Sequence, residues 1–397
     1  MSKLLVYDQE TDQKVPFLRG MLTRSLQNAG LDFVDAYQLA SDIRDDFDDN
    51  DVVSLEELRG RILEILEDDF PGTILQRYQK ENTHRENLVV VDADGEQEPF
   101  SRGLLTQRLM NASIPVDEAN AVANRIHTAL LRENCQQITT DDLIRLAYRD
   151  IARNVSKEHA EYYLVWNEFL RSNTPLIIMV GGVPGSGKST IATELANQLN
   201  IVRTQSTDML REVMRVLIPE RLSPELHRSS FEAGESMDRS GLLQLDDEIA
   251  LLNGYIRQAE MVEVACQAVI KRAISERVSV IMEGVHLRPS LMQQISSDDA
   301  IVIPVTLGVL DKKRLERYIK GRSSRAKKRR AERYLASLDK IWQLQTLLLS
   351  DADNADVEII NNLHRQETIS EMIKTIVLTV HTQYKPELKK LRQNYAL

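Results

Sequence analysis

Two hydrophobic rhythms divide this chain. From Leu176 onward, short and mostly apolar runs alternate with stretches in which apolar residues return every third or fourth position. The runs are LIIMV from Leu176, IVRTQST from Ile201, VSVIME from Val278, AIVIPVTLGV from Ala300 and VEIIN from Val357. The stretches between them predict helices over 189–199, 208–217 and about 249–275, then a long basic helical region after the fourth run. A run without polar alternation has apolar neighbours on both faces. The pattern therefore predicts an α/β fold, a parallel sheet flanked by helices.

The first 150 residues follow another rhythm, and they follow it twice. Over Pro16 to Ile43, 12 of 28 positions are identical to those 83 residues later, beginning with Pro16/Pro99, Phe17/Phe100, Arg19/Arg102 and Gly20/Gly103. Roughly two identities would arise by chance, so the segment is duplicated. Each unit opens on an apolar segment, LLVYD or LVVVD, and a polar turn, then shows two helical patterns. Each closes on a helix with an N-terminal cap signal, Ser54-Leu-Glu-Glu or Thr140-Asp-Asp. A short hairpin followed by a small helical bundle is the expected shape. Residues 156–173 predict a helix whose Tyr162, Tyr163, Trp166 and Phe169 form an aromatic face, expected to pack against a neighbouring domain.

Composition narrows the class. The chain has 397 residues, 42% of them hydrophobic, enough to bury real cores in two or three domains. Two cysteines argue against a disulfide framework or a Cys-rich zinc site and fit a reducing, cytoplasmic setting. No signal peptide is visible, and the longest apolar run is too short to span a membrane. The net charge of −10 makes a general nucleic-acid binder unlikely. That total hides an asymmetry: Asp42–Asp69 holds 12 acidic and 3 basic residues, whereas Lys312–Arg333 holds 12 basic and 2 acidic.

The chemistry is carried by Gly182 to Thr190, GVPGSGKST, which fits G-x-x-x-x-G-K-[ST] between a strand and a helix. Glycines let backbone N–H groups wrap phosphates, and the helix N-terminus adds positive potential. Gly182, Pro184, Gly185, Ser186, Gly187, Lys188, Ser189 and Thr190 are the candidate contacts to ATP. Lys188 would neutralise the β- and γ-phosphates and Ser189 would ligate Mg²⁺. Three further groups sit where a phosphotransferase needs them. Asp208 follows the second strand and can orient or deprotonate an acceptor hydroxyl; it can equally be a helix N-cap. Glu283 ends the third strand as a candidate metal-linked carboxylate. The basic run offers Arg314, Arg317, Arg322 and Arg325 as lid arginines over the transferring phosphoryl group, with a nucleic-acid patch as the rival reading. Of these, Arg322 and Arg325 are carried forward as catalytic candidates with Lys188, Asp208 and Glu283.

Arg211 and Arg215 lie four apart on one helix face close to Asp208, and Arg228 follows. Together they suggest an anionic acceptor. The plainer reading is a set of surface arginines paired with Glu212. His286 either touches substrate or is a satisfied internal histidine.

The order GGVPGSGKSTIATELA, STDMLREVMR, HRSSFEA, MEGVHLRP and RRAERYLASLDKIWQLQ resembles the 2-phosphoglycerate kinase family, over about residues 86–365. The stretch from Pro99 is similar to that family's N-terminal ATP-cone-like segment. The resemblance implies a P-loop kinase that converts ATP and 2-phosphoglycerate to ADP and 2,3-bisphosphoglycerate. The alternative is a P-loop ATP-dependent regulator, or a kinase acting on another phosphorylated acceptor, an inositol phosphate or a nucleic acid. The resemblance also implies an architecture of ATP-cone-like repeats at 1–80 and 86–155, a linker helix at 156–173, the kinase domain at 174–365 and a C-terminal helical extension at 366–397. Both repeats lack the basic pair that opens a typical cone strand. They are expected to serve assembly or regulation, with a homo-oligomer through them as one outcome.

Overall fold

The computed structural model describes residues 4–8, 13–47, 52–85, 88–133, 135–236, 246–292, 295, 298–321, 325–384 and 388–395. The chain divides into two compact units, Met1–Phe100 with His127–Leu143, and Ser101–Ile126 with Ile144–Leu397.

In the first unit, β1 (Leu5–Asp8) and β2 (Gln13–Pro16) form an antiparallel hairpin, and α1 (Arg19–Ala29) and α2 (Phe33–Asp45) follow. β3 (Val52–Ser54) then pairs parallel to β1 and leads into α3 (Leu55–Asp69) and α4 (Gly72–Arg85). Leu26, Leu39, Ile43, Ile62 and Leu66 are buried at helical spacing and form the core of this bundle. Ser54 caps α3 as the sequence predicts, its hydroxyl accepting from Glu57 N at 3.1 Å. β4 (Val89–Val91), β5 (Gln97–Pro99) and β6 (Gln137–Thr139) make a second three-stranded sheet with the same order and the same strand senses as the first. The cap of the helix after β6 is Thr139, one residue earlier than the sequence suggests: its hydroxyl accepts from Asp142 N at 3.1 Å.

Helices α5 (Arg102–Asn111), α6 (Val116–Arg132) and α7 (Thr140–Asn154) precede α8 (Lys157–Arg171). In the second unit the strands are β7 (Leu176–Gly181), β8 (Arg203–Ser206), β9 (Val280–Gly284), β10 (Ile301–Gly308) and β11 (Glu358–Asn361). They form one parallel sheet in the order β11-β10-β7-β9-β8. The connections carry α9 (Lys188–Leu199), α10 (Thr207–Leu217), α11 (Asp247–Ser275), the short α12 (Pro289–Met292), α13 (Lys312–Lys320), α14 (Arg325–Ala336) and α15 (Leu338–Asn354). α16 (Arg365–Gln383) and α17 (Leu388–Asn394) close the chain. Ile177, Ile178, Met179 and Val180 on the central strand are fully buried, as a strand covered on both faces requires. β8 and β11 are the edge strands, and β8, RTQS, is the least apolar of the five.

The aromatic face of α8 packs on α16: Tyr162 meets His381 edge-on at 4.9 Å and Phe169 meets Tyr384 at 5.6 Å. α5 reaches the far end of α9, where Asn111 Nδ2 donates to the carbonyl of Gln198 at 2.8 Å and satisfies one of the last-turn acceptors of that helix.

Candidate active site

Strand register brings the sheet's carboxyl ends level. Glu283 on β9 pairs with Val180 on β7 and with Ser206 on β8, and Asn361 on β11 pairs with Gly308 on β10. Ligands of open α/β sheets bind at this edge, and the phosphate loop leaves β7 there.

The loop is held tightly. Gly187 has φ +92°, and a Cβ on it would fall 2.3 Å from Asn362 Nδ2; one on Gly182, at φ +138°, would fall 2.3 Å from the Leu307 carbonyl oxygen. Only glycine permits both the left-handed turns and the close approach. Asn362 Nδ2 donates to the Ser186 carbonyl at 2.8 Å and Thr368 Oγ1 donates to Asn362 Oδ1 at 3.1 Å, so the segment after β11 braces the loop from behind. Lys188 is 8% exposed, and its Nζ donates to the Val183 carbonyl at 2.8 Å. Ser189 Oγ donates to Glu283 Oε1 at 3.0 Å. The hydroxyl and the carboxylate that the sequence assigned to one metal therefore touch, one from the first turn of α9 and the other from the end of β9. Gly185, Gly187 and Thr190 line a cavity of about 400 Å³ with Arg317, Tyr318 and Asn362.

A second cavity, of about 600 Å³, collects Asp208, Arg211, Arg215 and Arg228, together with Glu232 and Arg333. The sequence grouped the three arginines with Asp208 as one acceptor set, and the fold brings all four to one cavity. Asp208 is not an N-cap. α10 begins at Thr207, and Ser206 occupies the cap position without a side-chain cap bond, which puts Asp208 inside the first turn. The pairing with Glu212 that the plainer reading expects is present. Arg215 Nη1 donates to both oxygens of Glu212, at 2.8 and 2.9 Å, yet both arginines line the cavity. Arg211 Nη1 also donates to the Arg228 carbonyl. The Nε atoms of Arg211 and Arg215 are buried without a hydrogen-bond partner among the described residues.

The basic run is less uniform than a lid of arginines. Arg314 Nη1 donates to the Leu363 carbonyl at 2.8 Å and so ties α13 to the segment after β11. Arg317 faces the smaller cavity. Arg322 lies outside the described residues, and Arg325 opens α14 with a side chain that also lies outside them. Arg333, which sequence reasoning passed over, lines the larger cavity, 3.4 Å from Glu232 Oε2 and with its guanidinium 5.8 Å from the centre of the Phe231 ring. The signal available was the spacing of Arg325, Arg329 and Arg333, four apart on one helix. Asn362 was also missed; its signal was the doubled asparagine closing the last strand.

His286 is a satisfied internal residue, 2% exposed, between Thr207 and Gln258. Burial lowers its pKa to about 4, with Asp208 opposing the shift and Arg211 and Lys188 adding to it. Above pH 6.5 the imidazole is neutral both folded and unfolded. Between 6.5 and about 4 the unfolded chain takes a proton that the folded chain refuses, so stability falls with pH by up to about 1.4 kcal/mol per unit. Chemical unfolding at stepped pH should show this slope, and His286→Gln should flatten it. An unchanged slope would mean the histidine is solvated.

A lysine folded back onto its own phosphate-loop motif and an arginine-lined cavity lie at the same sheet edge. A protein built so is a phosphotransferase of the P-loop kinase class. The ATP cone domain family matches residues 88–171, and the viral superfamily 1 RNA helicase core domain matches residues 178–270, the part that carries the phosphate loop. A 2-phosphoglycerate kinase of Pyrococcus furiosus is 35% identical over 291 residues, covering 73% of this chain and 93% of the relative. The enzymes of the same name from Pyrococcus horikoshii and Methanopyrus kandleri are each 32% identical, over 73% and 70% of this chain and 93% and 84% of the relatives. The chain belongs to the 2-phosphoglycerate kinase family and is an ATP-dependent phosphotransferase. Among the described residues no helix is long and apolar enough to cross a membrane.

Proposed function

We propose that this chain transfers the γ-phosphate of ATP to the free hydroxyl of 2-phosphoglycerate, giving ADP and 2,3-bisphosphoglycerate. One observation carries the reading: the cavity that places Asp208 among four guanidiniums at the sheet's carboxyl edge. A small acceptor with a carboxylate and a phosphate matches that charge pattern. It would also satisfy the buried Nε donors of Arg211 and Arg215, which are costly while unpaired.

Lys188 exchanges the Val183 carbonyl for phosphate oxygens, and the loop's N–H groups hold the triphosphate. The cavity between α13 and the segment after β11 takes the nucleoside. Ser189 and Glu283 would hold Mg²⁺, a hard cation that takes oxygen ligands, which would supply charge neutralisation at the phosphates. Asp208 accepts the proton of the acceptor hydroxyl as its oxygen bonds to phosphorus; the bond to the β-γ bridging oxygen breaks and its electron pair leaves with ADP. Arg322 and Arg325 are the candidates for charge stabilisation from the basic run, and Arg333 joins Arg211, Arg215 and Arg228 at the acceptor.

ADP release with ATP, Mg²⁺ and a panel of acceptors tests the reading. Phosphorylated carboxylic acids should be turned over and glycerol or glycerate should not. Turnover of inositol phosphates alone would assign another acceptor.

A further inference from the structure

A chain of buried polar side chains runs behind the acceptor cavity, and none of them lines it. Thr207 and Gln258 are fully buried and His286 nearly so. Gln258 fixes the direction of the chain. One end of its amide lies 2.5 Å from the Glu225 carbonyl and 2.9 Å from the Arg228 carbonyl. Carbonyls only accept, so that end is the NH₂ group and Oε1 is the end 3.2 Å from His286 Nε2. Nε2 must then carry the proton. Nδ1, 2.8 Å from Thr207 Oγ1, is left as the acceptor of the threonine hydroxyl.

The chain joins three elements. Thr207 precedes Asp208 at the start of α10. His286 lies three residues beyond Glu283, past the end of β9. Gln258, on α11, holds the turn that ends at Arg228. The Arg228 carbonyl it grips is also the acceptor for Arg211 Nη1. Gly284 is part of the same device: at φ +155° it carries no Cβ, and one built there would stand 1.8 Å from Thr207 Oγ1. A glycine is needed for α10 to close on β9 at this point.

We propose that Thr207, His286 and Gln258 are positioning residues for the acceptor site, which set Asp208, Arg211 and Arg228 relative to Glu283. The proposal rests on the kinase reading above and adds a division of labour: this relay governs the acceptor and leaves ATP binding alone. A buried, fully paired polar chain gives such precision, and a shift of about 1 Å at a reacting group costs up to about a hundredfold in rate.

Steady-state kinetics with ATP and 2-phosphoglycerate test it. Gln258→Met, similar in volume and without the amide, should raise the KM for the acceptor about tenfold or more while the KM for ATP stays within about twofold. His286→Gln can place an NH₂ near the Nε2 position and keep the Gln258 contact, and His286→Asn can replace only Nδ1 and keep the Thr207 contact. Each should raise the acceptor KM less than His286→Ala, which loses both contacts and should raise it about tenfold or more while the KM for ATP stays within about twofold. Equal effects of Gln258→Met on both KM values, or no effect on either, would overturn the proposal. So would an acceptor KM in His286→Ala equal to that of wild type. Nitrogen-15 NMR of wild-type protein supplies a readout independent of turnover: the His286 proton should sit on Nε2, and a proton on Nδ1 overturns the relay. If the kinase reading itself is wrong, wild-type protein makes no ADP with any acceptor while the tautomer is still the one assigned.

Discussion

Lys188→Ala should lower kcat about a thousandfold and leave the fold in place. In the resting loop the ammonium is enclosed and donates to the Val183 carbonyl, a partner it has to leave when phosphate arrives. On the proposed reading its removal deletes a preorganised cation at the place where negative charge moves during transfer. Loss of one such group costs on the order of a hundred- to thousandfold in related sites. The stability change is smaller, because one carbonyl loses one donor, about 1–3 kcal/mol if it stays dry. Single-turnover measurements on Lys188→Ala and Lys188→Met separate the two effects. A variant that keeps wild-type turnover removes the phosphate loop from the mechanism.

Arg211→Ala should reduce kcat/KM for the acceptor about a hundredfold with little change in the KM for ATP. Arg211 is the least exposed of the ion-paired arginines in the larger cavity: its side chain is 13% exposed, against 34% for Arg215 and 55% for Arg333. Hydrogen bonds to charged groups are worth about 1.5–3 kcal/mol each, and a hundredfold corresponds to about 2.7 kcal/mol. Arg211→Lys keeps the charge but not the planar fork that reaches the Arg228 carbonyl, so it should recover only part of the loss. Equal loss for ATP and acceptor would place Arg211 on the nucleotide side and contradict the assignment of the two cavities.

Much of this was legible in the sequence because its signals are local. The phosphate loop announces itself by glycines at fixed spacing, and Glu283 by ending an apolar strand. Other features depend on contacts between distant segments. β3 and β6 are three residues long, too short to show a period, and exist only by pairing with β1 and β4. Asp208 reads equally well as a cap or as a catalytic group until the start of α10 is fixed at Thr207. Asn362 gains its role from the register that sets β11 beside β10 and brings the following residue under Ser186. Arg333 lay within a basic run whose members are indistinguishable by composition; helix phase selects the one that meets Glu232. The arginines beside Asp208 show why charge alone was ambiguous: pairing with Glu212 and lining a cavity are not exclusive.

The central claim is that the larger cavity accepts a phosphorylated acid at the hydroxyl beside Asp208. Phosphorus-31 NMR of a reaction holding ATP, Mg²⁺ and 2-phosphoglycerate tests it most directly. The γ resonance of ATP should be lost as a second phosphate monoester appears on the glycerate, one for each ADP formed. ADP accumulating with inorganic phosphate, and no new monoester, would contradict it.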